Sequence, residues 1–138
     1  MTGVYKEKYR SQRVLFYIKE VLKRRFNVKY LLYRFKWNYY PKMGLLSKFP
    51  FHIDIETTDS CNLRCVMCVH GQGKVVNTGF MNKEFARRII HEASDSGVYS
   101  IKLNWRGEPA LYKDLSELVR FAKECGILEV QMNTNGIP

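Results

Sequence analysis

Acidic residues are almost missing from the first fifty positions of this 138-residue chain, where only Glu7 and Glu20 stand against 13 Lys and Arg. The whole-chain net charge of +10 therefore belongs to this segment, and residues 51–138 are close to neutral. Long apolar runs are missing too. The longest uncharged apolar stretch near the amino terminus is Val14-Leu15-Phe16-Tyr17-Ile18, which is too short for a secretory signal and far short of the roughly 20 residues that span a bilayer. Cysteines number only four, and three of them crowd between Cys61 and Cys68. That arrangement does not read as an even disulfide-like framework and suits a reducing compartment in which thiols stay available to metal. Cytoplasm is the expected location, with a membrane-peripheral position as the second expectation.

The chain is 46% hydrophobic and 14% aromatic, a composition of folded rather than disordered proteins. Twelve of the 19 aromatic residues fall in the first fifty positions, so the composition shifts near Phe49-Pro50. Two segments are expected: a basic, aromatic-rich, largely helical extension over 1–50 and a folded domain over 51–138. Within the extension, Leu15, Ile18, Leu22 and Phe26 have helical spacing among Lys19, Lys23, Arg24 and Arg25, and aromatics then interleave with cations from Tyr30 to Trp37. One reading is a helical extension packed on the domain. The others are contact with an anionic membrane surface and, less favoured for want of a base-reading module, nucleic-acid binding.

From Phe51 onward the pattern is β-α-β-α-β. Phe51, Ile53 and Ile55 alternate with His52, Asp54 and Glu56, the period of a strand. Asn82 then offers an N-cap for a helix carrying Phe85, Ile89, Ile90 and Ala93, stopped near Gly97. Ile101, Leu103 and Trp105 mark a second strand. Asp114 precedes a helix with the stripe Leu115, Leu118, Val119, Ala122 and Cys125, stopped by Gly126. Leu128, Val130 and Met132 mark a third strand. Such alternation implies parallel strands with helical crossovers. Each strand nevertheless keeps a polar face, whereas an open parallel sheet covered on both sides would read as continuous apolar runs. The pattern predicts a curved sheet with helices outside, a polar interior, and chemistry on the loops at the carboxyl ends of the strands.

The loop after the first strand reads Cys61-Asn62-Leu63-Arg64-Cys65-Val66-Met67-Cys68. Three thiols this close can hold an iron–sulfur cluster and leave one iron without a protein ligand, whereas a cluster that only carries electrons usually takes four cysteines. A structural zinc site with His70 as fourth ligand is the alternative. His70 otherwise reads as a solvated loop residue, Arg64 as solvated, Asn62 as a local loop cap and Cys125 as a small core residue.

The CxxxCxxC spacing, together with Gly107-Glu108-Pro109 after the second strand and Thr134-Asn135-Gly136 after the third, resembles the radical S-adenosylmethionine (SAM) superfamily over about residues 51–138. The resemblance implies an α/β fold corresponding to about the first half of a (β/α)6 barrel. It implies that Cys61, Cys65 and Cys68 bind a 4Fe-4S cluster whose fourth iron is chelated by SAM. It further implies reductive cleavage of SAM to a 5′-deoxyadenosyl radical that abstracts hydrogen from an unknown substrate, with a one-electron donor such as flavodoxin or ferredoxin. Gly107 and Glu108 correspond to the segment that receives the SAM amino group, Met67 to an aromatic residue in the adenine environment, and Thr134 and Asn135 to the pocket lining. Arg106 replaces the first glycine of the usual GGEP. The remaining alternatives are a non-catalytic iron–sulfur protein and a basic membrane- or RNA-binding protein with a structural metal.

Overall fold

The computed structural model describes residues 27–74 and 78–137. The expected helix through Leu15, Ile18, Leu22 and Phe26 lies outside them. The chain divides into two compact units, 1–46 and 47–138.

In the first unit, helix α1 runs Val28–Tyr39. Asn27 caps it by accepting from the Tyr30 amide at 3.2 Å, which satisfies one of the amides that a helix start leaves unpaired. A 3-10 turn over Pro41–Met43 follows and ends at Gly44, whose φ of 62° a side chain would resist.

The second unit is a three-stranded parallel sheet in the order β1-β2-β3, with β1 at His52–Asp54, β2 at Ser100–Lys102 and β3 at Glu129–Gln131. Helices α2 (Lys83–Asp95) and α3 (Leu115–Glu124) are the crossovers. The α/β class and the β-α-β-α-β order agree with the sequence pattern, but the strands are much shorter than the alternation suggests. Trp105 and Met132 lie beyond them and are exposed. Inter-strand bonds from the Ile55 amide to the Lys102 carbonyl at 2.7 Å and from the Leu103 amide to the Gln131 carbonyl at 2.9 Å follow directly after β1 and β2, and the backbone then turns to build loops.

The register explains the two-faced sequence. Ile53, Ile101 and Val130 stand side by side across the sheet and pack with Ile90, Ala93, Leu118 and Ala122 of the helices in one core. On the opposite face His52 Nδ1 lies 2.8 Å from the Ser100 hydroxyl and Nε2 lies 2.8 Å from Asp54, while Lys102 pairs with Asp54 at 3.5 Å. The polar side chains therefore satisfy one another across the strands, as unpaired polar groups at a sheet face would otherwise cost stability. Glu117 ties the helices together by pairing with Lys83 at 2.9 Å and Arg87 at 3.2 Å. Among the described residues no helix is long and apolar enough to cross a membrane.

Candidate functional site

Because the strands are parallel, the loops that leave their carboxyl ends share one edge of the sheet, and the cysteine, RGEP and TNG segments are those loops. Thr57 and Thr58 set the cysteine loop on its path. Thr57 donates to the Leu103 carbonyl at 3.0 Å and Thr58 to the Gly79 carbonyl at 2.7 Å. The loop then turns at Cys65–Cys68, where the Cys68 amide reaches the Cys65 carbonyl at 2.9 Å. Cys65 is exposed and Cys61 and Cys68 are half-buried.

The RGEP loop docks directly on this segment. The Glu108 amide donates to the Ser60 carbonyl at 2.8 Å, and Gly107 is packed so closely that a Cβ would collide with the Thr58 carbonyl and lie 2.9 Å from that of Ser60. Only glycine admits this approach. Arg106 turns outward to form a fork on Glu56, with Nε–Oε1 at 3.2 Å and Nη2–Oε2 at 2.9 Å. This hydrogen bonding holds the Glu56 carboxyl below the ordinary range. The departure from GGEP thus pins the loop to the end of the first strand.

Glu108, expected from the resemblance to belong to the segment that receives the SAM amino group, is not an open carboxylate. It is 3% exposed and already accepts from the Thr134 hydroxyl at 2.6 Å, the Asn135 amide at 2.8 Å and the Ala110 amide at 3.0 Å. Burial pushes its carboxyl up, but the bonds from Asn135, Thr134 and Ala110 outweigh it and hold the group below the usual glutamate range. A carboxylate offers about four acceptor positions, so one remains. Asn135 extends the network by donating from Nδ2 to Asn62 Oδ1 at 2.9 Å, and Asn62 donates onward to the Ile137 carbonyl at 3.0 Å. Asn62 is therefore a long-range tie rather than a local cap, a role that spacing alone does not reveal. Arg64, by contrast, folds back on its own loop, donating to the Cys61 carbonyl at 3.0 Å.

Met67 is 87% exposed and touches none of this network's hydrogen bonds. His70 is buried, not solvated, and its Nε2 has no hydrogen-bond partner among the described residues. Gly71 lets the chain close there, since a Cβ would collide with the Cys65 carbonyl. Cys125 sits at the end of α3 against the core, and burial pushes its thiol up. Among the described residues no three His, Cys, Asp or Glu side chains are gathered closely enough to hold a metal. The three loop thiols nevertheless fit an iron–sulfur cluster by donor chemistry, since they are soft, accessible and on one short loop, and metal sites of this kind assemble as the metal binds.

No family model matches the chain. A "Probable GTP 3',8-cyclase" of Saccharolobus islandicus (strain M.14.25 / Kamchatka #1) is 38% identical over 82 residues, 59% of this chain and 26% of that protein. The GTP 3',8-cyclase of Klebsiella pneumoniae (strain 342) is 32% identical over 90 residues, 62% of this chain and 27% of that protein. This chain thus spans about a quarter of the length of the curated relatives it matches. Among solved structures, BtrN in complex with AdoMet and 2-DOIA superposes with a TM-score of 0.60 at 26% identity, covering 66% of this chain and 38% of that one. Streptococcus suis SuiB bound to S-adenosylmethionine gives 0.55 at 28%, covering 76% and 24%.

Proposed function

This chain is related to the radical SAM superfamily, and from that premise we propose that it holds a 4Fe-4S cluster through Cys61, Cys65 and Cys68 and binds SAM at the adjoining loops. The observation that carries the reading is Asn135, which bonds at once to Asn62 of the cysteine loop and Glu108 of the RGEP loop and so joins three motifs far apart in sequence at one sheet edge. When bound, the cluster would supply the electron for reductive cleavage of SAM, yielding the radical that abstracts hydrogen from an organic substrate.

The protein's own groups have definable tasks in this reading. The cysteine loop offers thiolates without a fourth protein ligand. Gly107 lets the RGEP backbone lie against that loop, and Glu108 holds Thr134 and Asn135 in place while keeping one acceptor position for an ammonium group. Met67, on the exposed outer turn of the loop, would meet the adenine only if the loop closes over it. Reduction by a flavodoxin- or ferredoxin-like donor in the cytoplasm fits the thiol chemistry.

Anaerobic reconstitution of the full chain with iron and sulfide tests the assignment. The expected product is a 4Fe-4S electron paramagnetic resonance signal on reduction, lost in Cys61→Ala, Cys65→Ala and Cys68→Ala and kept in Cys125→Ala. Stoichiometric zinc without sulfide would replace it with a structural metal site. The near-saturation of Glu108 favours a second reading, a cluster protein that does not hold SAM. A signal that SAM perturbs, with 5′-deoxyadenosine formed, decides for the enzyme.

A further inference from the structure

Helix α1 turns its apolar stripe the wrong way for a buried helix. Val28, Leu31, Leu32, Phe35 and Tyr39 recur at the spacing of one helical face, yet Val28 is 68% exposed and the other four are about half exposed. Its one buried side chain, Tyr33, lies on the opposite side, edge-on to Tyr30 and Trp37. Phe35 and Tyr39 stack at 4.9 Å within the stripe, and after the helix Met43 and Leu46 are exposed as well, the latter 94%.

The charge around this face has one sign. Lys29 lies on one flank of the stripe and Arg34 on the other, Lys42 and Lys48 follow, and no Asp or Glu occurs between Val21 and Ile53. An apolar partner protein would suit the stripe but leave the cations unmatched. RNA would suit the cations but gain nothing from Val28, Leu31 and Leu32. A surface that is apolar below and anionic above satisfies both. We propose that α1 and the turn after it dock on an anionic lipid surface, lying in the plane of the headgroups with Val28, Leu31, Leu32, Phe35 and Tyr39 inserted and the cations on phosphate or carboxylate headgroups. Twelve residues rising about 1.5 Å each make a helix that lies on a bilayer and does not cross it. The inference is independent of the cluster chemistry.

Cosedimentation of the full chain with vesicles tests it, comparing phosphatidylcholine alone with mixtures containing about one third phosphatidylserine. Binding to the anionic vesicles is expected to be at least about tenfold tighter, since the attractions of several cations near such a surface add, and to weaken with salt. Leu32→Asp/Phe35→Asp should lose binding at least about tenfold with an unchanged circular dichroism spectrum; Leu31→Gln/Phe35→Gln is the gentler pair should the first misfold. Lys29→Glu/Lys42→Glu should abolish the preference for anionic vesicles. Equal binding to both vesicle types, no binding to either, undiminished binding by the apolar variants, or capture of RNA in place of vesicles would each overturn the proposal.

Discussion

Glu108 shows how one side chain can carry an architectural task inside a chemical motif. Its carboxylate is buried and receives three donors from two loops, so replacing one oxygen by an amide NH2 turns a donor toward N–H and O–H groups that need an acceptor. Glu108→Gln is expected to cost about 1–3 kcal/mol, seen as a lower denaturation midpoint, and to loosen the loop that carries Thr134 and Asn135. The pH dependence has a definite sign. The folded carboxyl is held below the ordinary value of 4.5, so its stabilisation is fully present above that value and is lost as pH falls through the folded one. The difference in stability between wild type and Glu108→Gln should therefore shrink on acidification below 4.5, a trend that urea titrations at several pH values would reveal. A constant difference down to acid denaturation would show that the charge of Glu108 contributes nothing.

At the level of elements, the two helix starts look alike in sequence and behave differently. Asn82 caps α2 by accepting from the Phe85 amide at 3.0 Å. Asp114 occupies the same position before α3 but makes no capping hydrogen bond, its carboxylate instead lying 3.9 Å from Lys83. Asn82→Ala should cost about 1 kcal/mol, whereas Asp114→Ala should cost at most about 0.5 kcal/mol, the worth of a half-exposed ion pair and the helix dipole. Chemical denaturation of the two variants measures the contrast, and equal losses would mean that Asp114 caps after all. The sheet shows the same dependence on partners. His52, Ser100 and Asp54 bond one another across β1 and β2, which is why three short strands can keep a polar face without an exposed row of unpaired groups.

For the molecule as a whole, the division between 1–46 and 47–138 separates two kinds of surface. The first unit carries the outward apolar stripe and the cations, and the second carries the loops and their thiols. A chain beginning at Ser47 is expected to take up as much iron per molecule as the full chain while losing vesicle binding entirely. Loss of the cluster from this shorter chain would show that the first unit is needed to complete the metal site.

The sequence alone determined the α/β class, the order of elements, the two helix stops and the three loops that meet at the sheet edge, because strand and helix periods are local and parallel topology then places those loops together. It also singled out the three thiols, whose spacing is itself the chemical signal. What it did not determine were the occupations of particular groups: that Glu108 is buried and nearly saturated, that Asn62 reaches Asn135 rather than its own loop, that Arg106 grips Glu56, that His70 is enclosed, and that the strands last only three residues each. Each depends on a partner 26 to 73 residues away or on how closely two backbones approach at Gly107 and Gly71. The orientation of α1 is of the same kind. Its periodicity reveals a stripe, but only the tertiary structure shows that Tyr33 takes the buried side and leaves the stripe facing outward, because burial is a property of what surrounds a helix and not of its own sequence.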